Sequence, residues 1–295
     1  MKGRHIAIIV LAALGLSLLA FWQSRPAPLG APIQAALPAS AAGSLAAGPS
    51  APATPSEEAA GPPGQVPPGP GLPSFTDSEQ NPISPQEAFE RVLAAAEAGS
   101  APAMLNLAEF YGNGWGVKQN FTERFKWSQK AGEAGDARGF LLASLGLELG
   151  LGVQADQEAA RAILVKAASM GLAEAHFKLG QDLLAEPEGA TQASAHLEEA
   201  LKGGLPMAAN ILGVVYLQGV GNLAPDAQKA WEALARGAEL GDPEAMKNLA
   251  VMERQGLGGP ANPARALELY LAAREAGWQG LDEIVAELEN ELGNK

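Results

Sequence analysis

The chain has 295 residues, with 20 Lys+Arg against 33 Asp+Glu, a formal net charge of −13 and no cysteine. Without cysteine there can be no disulfide scaffold, thiolate metal site or thiol nucleophile. The acidic balance repels phosphate backbones and excludes nucleic acid as a partner.

In chain order, residues 1–25 read as a signal anchor or signal peptide. Lys2 and Arg4 precede an uncharged run of 17 residues, Ile6–Trp22. At about 1.5 Å per residue this run reaches ~26 Å, just short of a hydrocarbon layer of about 30 Å. The residues that follow, Phe21-Trp22-Gln23-Ser24-Arg25-Pro26, make a poor cleavage site, which favours an uncleaved anchor. Positive charge before the run places the N-terminus in the cytoplasm. The expected location is a bacterial inner membrane, single-pass, with the remainder of the chain periplasmic. The alternative is a secreted periplasmic protein after cleavage, and Ala39-Ser40-Ala41 offers a distant small-x-small site.

Residues 26–81 hold 13 of the 22 prolines and no charge before Glu57. Alanine, proline, glycine and serine bury too little area to offset chain entropy, so this segment is expected to be a disordered tether. The run Gly61–Pro73 favours extended, polyproline-like conformers.

Residues 82–295 repeat. Gly99, Gly135, Gly171, Gly204, Gly241 and Gly277 are spaced by 36, 36, 33, 37 and 36 residues, and each closes an alanine-rich segment. This period predicts a stacked array with repeats at about 100–135, 136–171, 172–204, 205–241 and 242–277. Each repeat should be two helices joined by a turn. Ser84-Pro85-Gln86-Glu87, Asp242-Pro243 and Asn262-Pro263 are helix starts, a capping side chain followed by proline. First helices carry a small-residue stripe: Ala103, Gly139, Ala175, Ala208 and Ala245, then five residues on Ala108, Ser144, Gly180, Gly213 and Ala250. Between the helices run Gly114-Trp115-Gly116-Val117, Gly150-Leu151-Gly152-Val153, Gly219-Val220-Gly221 and Gly256-Leu257-Gly258. A dinucleotide fingerprint follows a strand and opens a helix, so these are inter-helix turns and not phosphate loops. Pro85–Ala98 and Leu281–Leu292 are expected to cap the two ends, for about twelve helices in all.

The unit resembles the Sel-one-like repeat, a relative of the tetratricopeptide repeat. Ala103, Leu107, Tyr111, Gly114, Gly116, Val117, Trp127, Ala131 and Gly135 carry the resemblance in the first unit. Ala208, Leu212, Gly213, Tyr216, Gly219, Gly221, Ala238 and Gly241 carry it in the fourth. The third departs from the pattern: Glu186-Pro187-Glu188-Gly189 replaces the double-glycine turn and the unit is three residues shorter. The resemblance implies an all-α, right-handed α-solenoid. Some relatives are disulfide-braced and linked to β-lactams; a chain without cysteine gives no ground for carrying that activity over.

Little in the sequence suggests chemistry. His176 and His196 lie 20 residues apart in one unit, where a hairpin could set them face to face, which is short of a metal centre, and no nucleophile turn frames Ser128, Ser144, Ser169 or Ser194. No catalytic residue, metal or cofactor is expected. Aromatics crowd the first unit as Phe110, Tyr111, Trp115, Phe121, Phe125 and Trp127, and read as core with a possible hot-spot patch. Candidate binding residues are Asn106, Glu109, Trp115, Phe121, Lys178, Gln181 and Lys247. The expected function is a non-enzymatic scaffold, adaptor or regulator that binds a protein or peptide in the cell envelope and contacts the membrane through its N-terminal helix. A peptidoglycan- or glycan-binding module is the alternative, and an enzyme acting on β-lactams or wall fragments the outsider.

Overall fold

The computed structural model describes Phe75, Thr76, Ser78 and residues 81–293. The apolar run Ile6–Trp22 and nearly all of the proline-rich segment lie outside the described residues. Among the described residues, no helix is long and apolar enough to cross a membrane.

Twelve helices of 12 or 13 residues follow a two-stranded ribbon, β1 (Phe75–Thr76) and β2 (Pro82–Ile83). The leading helix is α1 (Pro85–Glu97). The five units are α2 (Ala101–Asn113) with α3 (Phe121–Glu133), α4 (Ala137–Leu149) with α5 (Gln157–Ser169), and α6 (Ala173–Leu184) with α7 (Ala190–Lys202). Then come α8 (Met207–Gln218) with α9 (Ala227–Glu239), and α10 (Pro243–Gln255) with α11 (Pro263–Glu275); α12 (Asp282–Gly293) closes the array. Each helix packs on its sequence neighbours, so the contacts run along the array, as a repeat protein requires.

Local chemistry sets the helix ends. Ser84, Ser100, Asn120, Asp136, Asp156, Asp226, Asp242 and Asn262 each accept a hydrogen bond from a backbone N–H of the first turn they precede. The six period glycines have φ between 83° and 100°, a conformation that costs glycine little and other residues much.

The double-glycine turn has a packing cause. A Cβ on Gly116 would sit 2.1 Å from the carbonyl oxygen of Pro85, and one on Gly152 would sit 2.1 Å from that of Phe121. At Gly258 the corresponding distance, to the Ala227 oxygen, is 2.6 Å. In these three turns the second glycine therefore lies directly on the start of the preceding helix, whereas Gly221 approaches the Pro187 carbonyl in the loop before α7. Thr122 Oγ1 adds a cross-unit bond to the Gly152 carbonyl at 3.1 Å.

The core is strung along the array. Leu107, Ala108, Ala143, Ala175, Ala208, Leu212, Ala245 and Ala250 are all fully buried. Close approach at the small stripe is real: a Cβ on Gly139 would fall 2.5 Å from the Ser128 oxygen, and one on Gly180 would fall 2.6 Å from Leu197 Cγ. Truncating one of these buried leucines to alanine costs about 2–5 kcal/mol.

One boundary differs from the sequence expectation. Phe75 was placed in the tether, yet β1 pairs antiparallel with β2, Phe75 opposite Ile83. Its ring packs 5.1 Å from Phe110 and 5.9 Å from Trp115. The folded unit thus extends back to Phe75, because one aromatic ring finds a ready-made apolar seat at the end of the array.

Candidate binding face

The first helices α4, α6, α8 and α10 carry several of the polar side chains that bond between units. At the C-terminal end these form a chain. Asn248 Nδ2 on α10 donates to Asn210 Oδ1 on α8 at 3.0 Å, and Asn210 Nδ2 donates to Asp242 Oδ2 at 2.7 Å. Asp242 also caps α10 through the Ala245 N–H at 3.1 Å. Burial raises the pKa of Glu244, Lys247 lowers it and the Asp242 charge adds to the rise. Burial likewise holds Lys247 below the usual lysine range, with Glu244 opposing the shift.

In the middle of the array, Lys178 of α6 is buried and meets Glu148 of α4 at 3.2 Å and Asp182 at 3.1 Å. Behind it, His176 Nδ1 and His196 Nδ1 stand 3.0 Å apart, with ring centroids separated by 5.2 Å. The rings point nearly head-on, which is the geometry of one Nδ1–H donating to the other ring's lone pair. A metal at about 2.0–2.1 Å from both nitrogens would require each ring to swing away from that line. Burial, then His176, then Arg161, lower the pKa of His196. Among the described residues, no three of His, Asp and Glu stand together as a metal-ligand set. Tyr216 of α8 donates to Glu198 of α7, and burial first, then that bond, push the phenol up to about 12.

The candidate residues from the sequence do not form one site. Asn106 is exposed on α2. Glu109 is half-buried, 4.0 Å from Arg124 and 3.3 Å from Asn113 Nδ2. Trp115 is half-buried, edge-on to Phe110 at 5.7 Å, and so belongs to the aromatic seal at the front of the array. Phe121 opens α3, half-buried, with its carbonyl under Gly152. Gln181 lies half-buried on α6, on the same helix as buried Lys178. Lys247 is buried with its ammonium 4.2 Å from the ring centroid of Trp278. Beside Trp278 a shallow cleft is lined by Arg274, Gly277, Gln279, Gly280, Leu281 and Asp282.

Asn210, Asn248 and Trp278 escaped the sequence reading, which placed Asp242 only as a helix start. The available signal was Asn248, a polar residue beside the leucine of a first helix where the apolar knob sits. Its partner Asn210 lies 38 residues away and is visible only once the units are stacked.

The Sel1 repeat model matches residues 101–136, 140–172, 206–242 and 243–278, passing over the third unit. A solved structure, the Sel1 repeat protein from Oxalobacter formigenes, is similar with TM-score 0.58 and 27% identity, over 68% of this chain and 83% of that one. A protective antigen present in uropathogenic Escherichia coli strains, displaying an SLR fold, is similar with TM-score 0.60 and 28% identity. That match covers 68% of this chain and 43% of the antigen, so the chain spans less than half of its length. No curated protein matches the chain. Four matched units, a period written in glycines and the packing of the Gly-x-Gly turns agree: the chain belongs to the Sel1 repeat proteins.

Proposed function

We propose that this chain is an interaction scaffold that holds a protein or peptide partner in the bacterial cell envelope. Sel1 repeat proteins generally act as protein–protein interaction scaffolds, and the polar and apolar side chains of the first helices supply the contact surface. The carrying observation is the array itself. A one-dimensional stack presents side chains from five units along one line, a surface that suits an extended partner rather than a small molecule. Right-handed superhelical winding, as the family resemblance implies, would gather these helices on the inner side.

Presentation outside the cytoplasm is part of the same proposal. It is supported by the apolar run Ile6–Trp22 behind Lys2 and Arg4, and by the 56 residues 26–81 that separate this run from the repeats. A reporter fused at residue 82 that is active only outside the cytoplasm tests the topology. A reporter active only in the cytoplasm sinks it. Crosslinking from Gln181 or Asn106 in intact cells should trap a protein partner in a footprint that spans several units; failure at both positions, with the protein present and folded, counts against the scaffold reading.

A further inference from the structure

The front of the array holds an aromatic seat that is already filled. Phe110 of α2 is buried, stands edge-on to Trp115 at 5.7 Å and lies 6.2 Å from Phe89, which in turn meets Tyr111 edge-on at 5.5 Å. These four side chains belong to α1, α2 and the turn after α2, and they brace one another without help from the residues before α1. Onto them comes Phe75, 5.1 Å from Phe110 and 5.9 Å from Trp115, carried by a strand of two residues. Its strand pairs antiparallel with Pro82–Ile83. A two-stranded ribbon of that length has little stability of its own, so the ring is what holds β1 on the array. Phe75 is nevertheless only half-buried, and Thr76 beside it is exposed.

Main-chain pairing with a strand, plus a pocket for one side chain, is how a sheet edge captures an extended peptide. Here the captured segment is the chain's own, and it shows what the seat accepts. Aromatic anchors carry much of the binding energy of protein interfaces. Phe110 also stands on α2, a first helix, so the seat is continuous with the contact surface of the array. We propose that this seat is a docking site for an extended segment of the partner that bears an aromatic side chain, with Phe75 as its built-in competitor. The inference deepens the scaffold reading and rests on it for a protein as the partner. The partner's ring takes the place of Phe75 on Phe110 and Trp115, its backbone pairs with β2, and β1 leaves while the helices stay as they are.

The test uses the full-length chain labelled with 15N-tryptophan, which gives five indole signals, and Trp115→Phe identifies that of Trp115. The probe is Ac-Pro-Ser-Phe-Thr-Asp-amide, a copy of residues 73–77, with Ac-Pro-Ser-Ala-Thr-Asp-amide as its control. Both are titrated to about 10 mM, enough to see millimolar affinities. With Phe75→Ala, the first peptide should shift the Trp115 indole saturably and the control should not. Wild type should need several-fold more peptide, because its own ring competes at an effective concentration of millimolar order. The docking site is overturned if the first peptide leaves Trp115 of Phe75→Ala unmoved, if both peptides act alike, or if wild type and Phe75→Ala respond equally. Loss of the helical circular dichroism signal in Phe75→Ala would make Phe75 a core residue and overturn it too. A wild-type dimer that falls apart in Phe75→Ala would give the seat to a second copy and remove the partner from it. In intact cells, Phe75→Ala should increase the partner trapped from Gln181. Equal trapping by wild type and Phe75→Ala would remove the seat and leave the scaffold standing.

Discussion

The third unit (172–204) and the fourth (205–241) are neighbours built by different local rules. In the fourth, Gly219 and Gly221 make the turn and Asp226 caps α9. In the third, Glu186-Pro187-Glu188-Gly189 makes the turn, and neither Leu172 before α6 nor Gly189 before α7 provides a side-chain cap. Side-chain bonds take over: the His176–His196 pair, Lys178 with its two carboxylates, and the Arg161–Glu186 ion pair. The fourth unit shares part of this, since Pro206 before α8 gives no side-chain cap either, but it keeps the glycine turn and the Asp226 cap that the third lacks. Both histidines of the described residues lie in the third unit, so a response to pH below the ordinary histidine range is expected there.

The largest expected effect breaks a regular turn. Gly152→Ala drives a Cβ into the Phe121 carbonyl and forces alanine to φ 74°. A loss of about 3–5 kcal/mol is expected from strain and overpacking together, read as a fall in urea midpoint at constant slope. Next is the shared core. Leu212→Ala in the fourth unit and Leu197→Ala in the third, both fully buried, should each cost about 2–5 kcal/mol. Similar losses would show that the two units differ only at their ends and surfaces.

Caps give a smaller and more discriminating contrast. Asp242→Ala removes a bond from the Ala245 N–H and should cost about 1 kcal/mol. Leu172 already has the extended backbone of a cap, φ −73° and ψ 113° against −75° and 114° at Asp242. Leu172→Asp would gain about 1 kcal/mol of capping and lose a similar amount of half-buried apolar contact, leaving the midpoint nearly unchanged.

The pH effect is expected to be the smallest, because the histidines are only half-buried. A histidine whose folded pKa lies below its unfolded value of about 6.5 takes up protons more readily in the unfolded chain. Its contribution is present above that pH and is lost as pH falls toward the folded value. Amide exchange in α6 and α7 should therefore speed up on acidification more than in α8 and α9, and His196→Phe should remove the difference. Equal acceleration in both units would dissolve the distinction.

Much of the array was legible because its signals are local and repeated. A glycine every 36 or so residues marks a left-handed helix end, and Ser84, Asp242 and Asn262 mark the starts. Even the double-glycine turn was recognisable, although its cause, contact with the preceding unit, exists only in the stack. What escaped was singular or long-range. Phe75 is one aromatic after a proline-rich stretch, with no periodicity to betray its seat on Phe110. Lys178 and Lys247 look alike in the sequence, yet Glu148, 30 residues away, pairs with the first, whereas the second lies over the Trp278 ring. Trp115 resembled an exposed contact residue because nothing within its own unit reveals that Phe75 packs against it.

The seat of Phe75 also fixes how mechanical load enters the molecule. Phe75 and Ile83 sit opposite each other at the open end of the short ribbon, so tension arriving along the chain from before Phe75 peels the two strands apart one pair at a time. The ribbon and its aromatic plug would let go first, as a fuse does, lengthening the connection while the stacked helices behind them stay intact.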